Sequence, residues 1–505
     1  MLTIINKSLV LYLKWRYSRS EQFMNHPIET QEKVLQLLLL RAKDTEWGRM
    51  HHYRSIRYHN DFTSRVPVQH YEQIKPYVDR MLAGENNLIW PTKVKWFAQS
   101  SGTTSDKSKY IPITGESLTG CHQKAGLDVM ALYCHNRPGT KVFEGKGLIL
   151  GGSHKISGLN NGARTGDLSA VLLQNFPKAA EFMRTPKMSI ALMDNWEEKL
   201  DKLAHATMTQ NVTSLSGVPS WNLLLLNKIL ELTKKSHILE VWPGLELFNH
   251  GGVSFVPYQD QFKKLIPGDD MYYLETYNAS EGFFGAQDQA TSKDMLLMLD
   301  YGVYYEFIPM EEFYLPQPRV LNLGEVDTKT NYAMVISTNG GLWRYIIGDT
   351  VRFSSLAPYR ITISGRTRNF INAFGEEVIV DNTDKALAKA CKHTGAIISE
   401  YTAAPIFLQN SESAAHEYLI EFAVEPDNIE HFTALLDKEL QSLNSDYEAK
   451  RSNDLMLKQP LVRSVPHNSF VGWLKSKGKL GGQNKVPRLY NDRKYVDEIL
   501  NYLRA

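Results

Sequence analysis

The chain has 505 residues, of which 43% are hydrophobic and 22% charged, and its formal net charge is +2 at pH 7. This length fits about three domains, or one large and one small domain, with a sizeable buried core. A net charge near zero argues against a nucleic-acid binder and against a global field that would attract acidic membranes. The three cysteines, Cys121, Cys134 and Cys391, are too sparse for a disulfide framework or a zinc site, so we expect reduced thiols and a cytoplasmic location.

The N-terminal stretch MLTIINKSLVLYLKWRYSRS predicts an amphipathic surface helix rather than a signal peptide. Lys7 and Lys14 interrupt its apolar run, and no small-residue cleavage site follows. Nowhere does the chain contain about 18 uninterrupted apolar residues, so we expect no membrane span.

Helical and strand-like patterns alternate along most of the chain. Apolar residues spaced for one buried face predict helices over 29–44, 115–135 and 220–236. The short apolar runs between them predict strands: KVKWFA, YIPI, GLILGG, MYYLET, YAMVIST and RITISG. This alternation predicts an α/β architecture of mixed sheets and helices, with chemistry carried by loops at strand ends.

A domain boundary is expected near residues 365–372, within ISGRTRNFINAFGEEVIV. After it the pattern reads strand, helix, strand, strand, helix and then a basic tail. From Val471 to Ala505 that tail holds eight Lys or Arg against three Asp or Glu. We therefore expect a large domain over residues 1–366 and a small α+β domain over residues 367–505.

The most informative segment is FAQSSGTTSDKSKYIP, residues 97–112. Lys107 and Lys109 follow a run of five small residues in it. Hydroxyls, backbone N–H groups and ammonium donors in one loop suit a compact anion, and the obvious one is a nucleotide polyphosphate. No second glycine precedes the lysine as in a Walker A loop, and predicted strands on both sides favour a hairpin-type phosphate cradle. The alternative is a solvated Ser/Thr turn. The five small residues are Ser100, Ser101, Gly102, Thr103 and Thr104.

A second segment is LETYNASEGFFG, residues 274–285. Tyr277 could stack on a flat base. Glu281 offers a hard oxygen, which suits Mg²⁺ held by one carboxylate and by nucleotide phosphates. Gly282 and Gly285 would let the backbone approach a ligand closely. The alternative is an exposed glutamate in a turn.

A third segment is LWRYIIGDTVRF, residues 342–353. Asp349 follows a glycine at the end of an apolar run, a position where a carboxylate can accept both ribose hydroxyls. A β-turn aspartate explains the same pattern equally well. Arg344 and Arg352 are expected to be surface or ion-pair residues rather than ligands.

A fourth feature combines Gly365-Arg366-Thr367-Arg368 with GGQNKVPR, residues 481–488. Lys485, on a mobile C-terminal unit, could swing over a nucleotide and stabilise charge on the transferring group. Otherwise it is one more solvated lysine.

Taken together and in this order, the four features resemble the GH3 acyl-acid amido synthetases, a branch of the acyl-adenylating superfamily. Members of that family carry an SSGTT…K phosphate loop, a Y-x-x-S/T-E segment, a Y-R-x-G-D segment and a late K-x-P-R. Here these are SSGTTSDKSK, YNASEG, RYIIGD and NKVPR. GVPSW at 217–221 and NHGG at 249–252 also look like stretches of bacterial members. The resemblance covers nearly the whole chain.

The resemblance implies an ATP- and Mg²⁺-dependent ligase in which a carboxylic acid is adenylated and its acyl group passes to an amine, an amino acid. Two alternatives stay open, a coenzyme A ligase with the same first step and a non-catalytic nucleotide-binding protein. We expect an aromatic or medium-length acid, whereas the oligomeric state is not indicated. The implied site has Ser100, Ser101, Gly102, Thr103 and Thr104 on phosphate, Tyr277, Ser280, Asp349 and Arg366 on the rest of the nucleotide, Glu281 on Mg²⁺, and Lys109 and Lys485 as catalytic cations.

Two positions depart from the family pattern. Asp106 stands where many relatives have glycine, which adds a negative charge near the phosphates. RYIIGD is one residue longer than Y-R-I-G-D if Arg344 is aligned, so either Arg344 is shifted or Tyr345 takes the aromatic role.

Overall fold

The computed structural model describes residues 2–101, 108–151, 157–159, 161–193, 196–252, 255, 258–290, 292–367, 370–376, 378–407, 414–452, 456–477 and 487–504. The chain divides into two compact units. The large unit comprises residues 1–100 and 110–367, and the small unit comprises residues 101–109 and 368–505. None of the described helices combines the length and the apolarity needed to cross a bilayer.

Helices form the first part of the large unit, and side-chain caps and ties fix where they lie. The Thr45 hydroxyl accepts a hydrogen bond from the Gly48 N–H at 2.9 Å, which begins one short helix. Gln31 is buried and its amide nitrogen donates to the carbonyls of Leu299 and Val303 at 2.8 and 2.9 Å. These helices are α1 (Leu2–Asn25), α2 (Pro27–Ala42), α3 (Glu46–Met50), α4 (His59–Arg65) and α5 (Tyr71–Leu82), with a 3₁₀ turn at Tyr53–Ser55.

The described residues between 96 and 366 form sixteen strands. They include the six predicted from apolar runs. In chain order they are β1 (Trp96–Ser101), β2 (Ser108–Ile113), β3 (Lys146–Ile149), β4 (Ser157–Gly158), β5 (Arg164–Asp167), β6 (Arg184–Thr185), β7 (Val212–Gly217), β8 (Leu247–Gly251), β9 (Tyr272–Ala279), β10 (Gly282–Ala286), β11 (Met295–Leu297), β12 (Val303–Pro309), β13 (Leu321–Asn322), β14 (Asn331–Thr338), β15 (Tyr345–Leu356) and β16 (Tyr359–Arg366).

These strands form two sheets. A four-stranded sheet has the order β2-β1-β5-β4, and a twelve-stranded sheet has the order β13-β12-β14-β15-β16-β11-β10-β9-β8-β7-β3-β6. At one end of the twelve-stranded sheet, neighbouring strands in the order β6-β3-β7-β8-β9 are parallel. In the rest of the sheet, β9-β10-β11-β16-β15-β14-β12-β13, neighbouring strands are antiparallel. The carboxyl ends of parallel strands share one edge, which is where ligands bind in open α/β sheets.

Further helices follow the first hairpin. The helix predicted over 115–135 is present, but it contains a π-helical turn at Leu118–Gln123, where the Cys121 sulfur accepts a hydrogen bond from the Phe283 N–H at 3.2 Å. The helix predicted over 220–236 is also present. The helices are α6 (Gly115–Ser117), α7 (Lys124–Asn136), α8 (Leu168–Gln174), α9 (Met188–Ala191), α10 (Trp196–Thr207), α11 (Pro219–Thr233) and α12 (Gln259–Leu265), with 3₁₀ turns at Val142–Glu144, Lys178–Met183, Ile238–Glu240 and Leu323–Glu325.

The small unit follows the predicted order of strand, helix, strand, strand and helix. The first predicted strand is shorter than expected, because a helix already begins at Val380. The basic tail is not a simple extension, since it contains two helices that pack on the sheet. Its elements are β17 (Phe370–Ile371), β18 (Val378–Ile379), α13 (Val380–Thr394), β19 (Ile397–Phe407), β20 (Ala414–Val424), α14 (Ile429–Leu443), α15 (Ser445–Arg451), β21 (Leu461–Val465), α16 (Ser469–Ser476) and α17 (Lys494–Arg504).

Strands β19, β20 and β21 form the main sheet of the small unit, with β20 and β21 parallel. Helix α13 ends at Gly395, which has the left-handed φ of 71° that favours glycine at this position. The core between the sheet and the last helices contains Ala404, Leu419, Val465, Phe470, Trp473, Val496 and Ile499. The predicted class, an α/β protein with a large N-terminal and a small α+β C-terminal part, is confirmed. The three cysteines are unpaired.

Candidate functional site

A tight hairpin carries the second motif. Strand β9, the last of the parallel strands, ends at Ala279, and β10 begins at Gly282, with these two residues paired across the hairpin. Ser280 and Glu281 form the turn between them, and both are half-buried. The turn therefore lies at the carboxyl end of a parallel strand, the edge at which α/β sheets bind ligands.

Tyr277, Asp349 and Arg366 meet in one cluster. The Tyr277 hydroxyl donates a hydrogen bond to Oδ2 of Asp349 at 2.5 Å, and Nε of Arg366 lies 2.6 Å from Oδ1 of the same carboxylate. Asp349 and Arg366 are also paired across β15 and β16. Tyr277 and Arg366, which come from two other sequence segments, thus both bind the Asp349 carboxylate.

The electrostatics of this cluster keep Tyr277 a donor. Burial raises the pKa of the Tyr277 phenol well above its ordinary value, and the neighbouring Asp349 carboxylate raises it further. The phenol therefore stays protonated at neutral pH. Its ring packs edge-on against Phe284, with 5.0 Å between the ring centroids. The ring is thus part of the core, and the hydroxyl is the group that acts on the site.

The Asp349 carboxylate retains acceptor capacity. A carboxylate offers about four lone-pair positions, and Tyr277 and Arg366 use one on each oxygen. Two lone-pair positions therefore remain for further donors. The β-turn alternative for Asp349 is wrong, because the residue lies inside β15 rather than in a turn. The turn-like signal comes from Gly348, whose φ is 100° and whose carbonyl accepts the Thr367 N–H at 2.8 Å.

Glu281 faces a second buried tyrosine. The Tyr345 hydroxyl donates to Oε1 of Glu281 over a long distance of 3.5 Å. Burial raises the pKa of Tyr345 well above its ordinary value, and the Glu281 charge adds to this, so the phenol remains a donor. Gln69 holds the backbone on both sides of Tyr345. The Gln69 N–H donates to the Arg344 carbonyl at 2.8 Å, and the Ile346 N–H donates to the Gln69 carbonyl at 2.9 Å. This geometry favours Tyr345 for the aromatic role in the third motif.

The fit to a magnesium ion depends on one carboxylate. Among the described residues no three His, Cys, Asp or Glu side chains come together as a metal-binding group. Mg²⁺ is typically bound through one or two carboxylates with phosphate and water oxygens as its other ligands. Glu281, half-buried at the tip of a hairpin, fits that arrangement and does not fit an all-protein metal cage.

Arg344 is a structural residue. Its Nε donates to both oxygens of Glu306 at 3.1 and 2.9 Å, and its Nη1 donates to the carbonyls of Thr63 and Val66 at 3.2 and 2.6 Å. Both partners of the ion pair are buried. The expectation of an ion pair is confirmed, although the residue is not on the surface. Glu306 was missed, and its signal was a lone acid within the apolar run VYYEFIP.

The glycines of NHGG have a structural explanation in part. A Cβ on Gly251 would lie 2.3 Å from the Thr276 carbonyl oxygen, so only glycine allows β8 to approach β9 this closely. The Thr276 hydroxyl also donates to the His250 carbonyl at 3.1 Å. Burial lowers the pKa of the His250 imidazole to about 3, which keeps it neutral.

The structure describes only part of the segment that holds the five small residues and the two lysines, residues 100–109, which we call the hydroxyl loop. Strands flank it on both sides, as predicted, and the Tyr71 hydroxyl supports β2 by accepting the Tyr110 N–H at 2.8 Å. Ser100 and Ser101 end β1, and Lys109 lies half-buried on β2. The predictions for Gly102, Thr103, Thr104, Asp106, Lys107 and Lys485 lie outside the described residues, as do the side chains of Ser100 and Ser101.

The chain that follows Lys485 is firmly attached to the small unit. The Thr402 hydroxyl donates to the Pro487 carbonyl at 2.7 Å, and the Ala403 N–H donates to the Arg488 carbonyl at 2.8 Å. Nη1 of Arg488 lies 2.6 Å from Oδ1 of Asp384. Sequence reasoning missed Asp384 and Thr402, because nothing in their local patterns distinguishes them from surface residues.

The same fold occurs in two solved structures. A solved GH3.15 acyl acid amido synthetase aligns with a TM-score of 0.62 at 19% identity, covering 97% of this chain and 96% of that one. A solved 2-hydroxyisobutyryl-CoA ligase, in complex with 2-HIB-AMP and CoA, aligns with a TM-score of 0.57 at 14% identity, covering 95% and 92%. Likeness at these identities establishes the architecture.

The chain belongs to the GH3 family. The GH3 family N-terminal domain matches residues 16–271, the central domain residues 296–366 and the C-terminal domain residues 381–494. Two similar proteins come from Arabidopsis thaliana. Indole-3-acetic acid-amido synthetase GH3.3 is 22% identical and covers 91% of this chain and 88% of its own length. The 4-substituted benzoates-glutamate ligase GH3.12 is 21% identical and covers 87% and 88%. The resemblance predicted from the four motifs is confirmed.

Proposed function

We propose that this protein is an ATP-dependent ligase that adenylates a carboxylic acid and transfers the acyl group to the amine of an amino acid. Membership of the GH3 family supports this, together with the names of relatives that are amido synthetases and a benzoate–glutamate ligase. The observation that carries the proposal is the Tyr277–Asp349–Arg366 cluster. It is a preformed acceptor for two hydroxyls at the edge of the sheet where ligands bind.

The proposed reaction has two displacements. The substrate carboxylate attacks the α-phosphorus of ATP and releases pyrophosphate, and the amine then attacks the acyl carbon and releases AMP. Neither step requires a covalent protein nucleophile, so positioning, charge neutralisation and water exclusion supply the acceleration. We assign the ribose hydroxyls to Asp349. Arg366 offsets the charge of that carboxylate, and Tyr277 fixes its orientation.

In this proposal the hydroxyl loop binds the phosphates. Ser100, Ser101, Gly102, Thr103 and Thr104 would contact them, Lys109 would neutralise charge from β2, and Ser280 would line the nucleotide. Glu281 would hold Mg²⁺, which neutralises phosphate charge when bound. The 3.5 Å contact with Tyr345 supports this role, because the phenol orients the carboxylate at the tip of the hairpin.

We propose that residues 1–366 act as the adenylation domain and residues 367–505 as a mobile domain that carries Lys485. The contact boundary after Thr367 supports this division. The rotation between half-reactions would occur around residues 365–372. The small unit would carry this lysine, because the chain that follows it is attached to β19 and to Asp384 through Pro487 and Arg488.

Acid-dependent ATP–pyrophosphate exchange tests the first step. A panel of aromatic and medium-length carboxylic acids is supplied with Mg·ATP and radioactive pyrophosphate, and an active acid should give exchange without any amine. Glu281→Gln should abolish this exchange, whereas Glu311→Gln, at an exposed turn glutamate, is the matched control and should retain it. Exchange that survives in Glu281→Gln would exclude the metal role. Failure of every acid would reject the adenylation itself.

The second step distinguishes the acceptors. The active acid is incubated with ATP and either a mixture of amino acids or coenzyme A, and the products are separated by mass. The proposal expects an amide with release of AMP. A thioester instead would support the coenzyme A alternative, whose fold is shared with a solved CoA ligase. Nucleotide binding without either product would indicate a non-catalytic protein.

A further inference from the structure

Helix α1 presents an apolar stripe to solvent, which we call the α1 outer face and define as Ile4, Leu11, Tyr12 and Trp15. These side chains are 70%, 72%, 44% and 55% exposed. At 100° per residue, positions 4, 11 and 15 lie within about 40° of one another, and the stripe is about 16 Å long. Single exposed apolar side chains are ordinary, but several on one face of a helix mark an interaction surface.

The opposite face of α1 holds the helix in place, so the exposure does not come from a loosely attached segment. The Asn6 amide donates to the Thr140 carbonyl at 2.9 Å. Nε of Arg16 lies 2.5 Å from Oδ1 of Asp128. The Tyr17 ring stacks on His135 with 3.7 Å between centroids. Val10, Leu13 and Phe23 are buried in the main core on this side. The outer face is therefore a fixed feature of the folded protein.

Basic side chains flank the outer face. Lys7 and Lys14 lie on one side of the stripe, and Arg19 lies on the other with its guanidinium 4.4 Å above the Trp15 ring. The sequence from Leu2 to Ser20 contains no Asp or Glu. An apolar stripe with tryptophan and leucine between basic side chains is the composition of helices that lie in the interface of an anionic bilayer.

We propose that the α1 outer face binds the surface of an anionic lipid bilayer, with the helix axis parallel to the membrane plane. Ile4, Leu11 and Trp15 would enter the boundary between headgroups and acyl chains, and Lys7 and Arg19 would contact lipid phosphates. Charge complementarity selects this occupant over a second copy of the chain, because pairing two outer faces would bring cations of the same sign together without any acid on this stretch to offset them.

Vesicle sedimentation with the full chain tests the proposal. Phosphatidylcholine vesicles and phosphatidylcholine–phosphatidylserine vesicles are compared at low and high salt. The protein should sediment with the anionic vesicles, and the binding should weaken as salt increases. Replacing Lys7 and Arg19 by glutamine should lower the association constant by about 25-fold, since each basic side chain near an anionic surface contributes about fivefold.

The apolar stripe is tested by Leu11→Ser combined with Trp15→Ser, which should abolish vesicle binding. The matched control replaces Phe182 and Leu315 by serine, because these side chains are 62% and 53% exposed elsewhere on the large unit. The control should bind vesicles like the unaltered chain. Unaltered ATP–pyrophosphate exchange in both double variants would show that each is folded, and denaturant unfolding provides the same check if no acid substrate is known.

Three outcomes would overturn the proposal. The first is the absence of vesicle binding by the unaltered chain at low salt. The second is equal loss of binding in the Phe182 and Leu315 control. The third is a concentration-dependent dimer in sedimentation velocity that the Leu11 and Trp15 substitutions dissolve, which would assign the face to a second copy of the chain.

Discussion

Replacing Arg344 by methionine would test whether this motif residue is structural. Methionine keeps much of the side-chain volume and an L-configured Cβ, so the φ of 44° at this position is no more strained than before. The substitution removes two hydrogen bonds to Glu306, at 3.1 and 2.9 Å, and two to the carbonyls of Thr63 and Val66. Glu306 is 0% exposed and would remain as a buried carboxylate without its main partner.

The expected loss is about 3–5 kcal/mol in the free energy of unfolding of the large unit, the range for removing one partner of a buried ion pair. His59 lies near Glu306, with 3.9 Å between its Nδ1 and Oε1, but this nitrogen is already hydrogen-bonded to the Tyr304 hydroxyl at 2.9 Å. Urea unfolding of the full chain measures the change. The double variant Arg344→Met with Glu306→Leu should recover most of the loss, because no charge is then left buried.

Two other outcomes of the Arg344→Met experiment would contradict a structural role for this residue. Arg344→Met with unchanged urea unfolding but a strongly raised KM for ATP would mean that the guanidinium contacts the nucleotide. The third motif would then read as the family pattern with Arg344 shifted by one residue, and the assignment of the aromatic role to Tyr345 would be wrong. A loss of stability that the Glu306 substitution does not relieve would also contradict the ion-pair account.

Three further predictions concern the site and its support. A hydrogen bond to a charged group contributes about 1.5–3 kcal/mol, so Tyr277→Phe should raise the KM for ATP in pyrophosphate exchange by about tenfold or more; an unchanged KM contradicts this. Gly251→Ala should lower stability in urea by about 1–3 kcal/mol, because its Cβ would lie 2.3 Å from a backbone oxygen, whereas Gly158→Ala has open space and serves as the control. Burial lowers the pKa of His122 from 6.5 to about 4, so its contribution is fully present above pH 6.5 and is lost as the pH falls toward 4. His122→Leu should flatten the pH dependence of urea unfolding over that range, and an equal acid sensitivity in both proteins would refute it.

The positions of the motifs could be predicted because their signals are local. A run of small polar residues between two apolar stretches predicts a loop between strands, and both strands are present as β1 and β2. The strand before Glu281 was likewise predicted, from the apolar run MYYLET, and is present as β9. The helix over 115–135 also had a clear period, although its π-helical turn was missed. That turn depends on a contact between Cys121 and β10, which periodicity does not show.

The contacts of the motifs could not be predicted in the same way. Tyr277 and Asp349 are 72 residues apart in the chain, and their hydrogen bond depends on the order β15-β16-β11-β10-β9. Alternating hydrophobicity specifies which face of a strand is buried, but it does not specify which strand is the neighbour. The local pattern also made Asp349 resemble a turn residue. The adjacent Gly348 gives a turn-like pattern, while the actual conformation is a strand with one residue at positive φ.

The two carboxylates of the site lie on different kinds of backbone, a strand and a turn, and this difference fits the two proposed roles. Asp349 lies within a strand, and both of its oxygens have partners at 2.5 and 2.6 Å, so its orientation is set before any ligand arrives. A rigid acceptor suits a ribose, whose two hydroxyls have a fixed separation. Glu281 lies in a two-residue turn, half-buried, with a 3.5 Å contact to Tyr345. A carboxylate on a turn would suit Mg²⁺ that is also bound by phosphate oxygens, because a turn adjusts to its ligand more easily than a strand does. The Tyr345 hydroxyl would then limit how far Glu281 moves, and Tyr345→Phe should affect the Mg²⁺ dependence of exchange more than the KM for ATP.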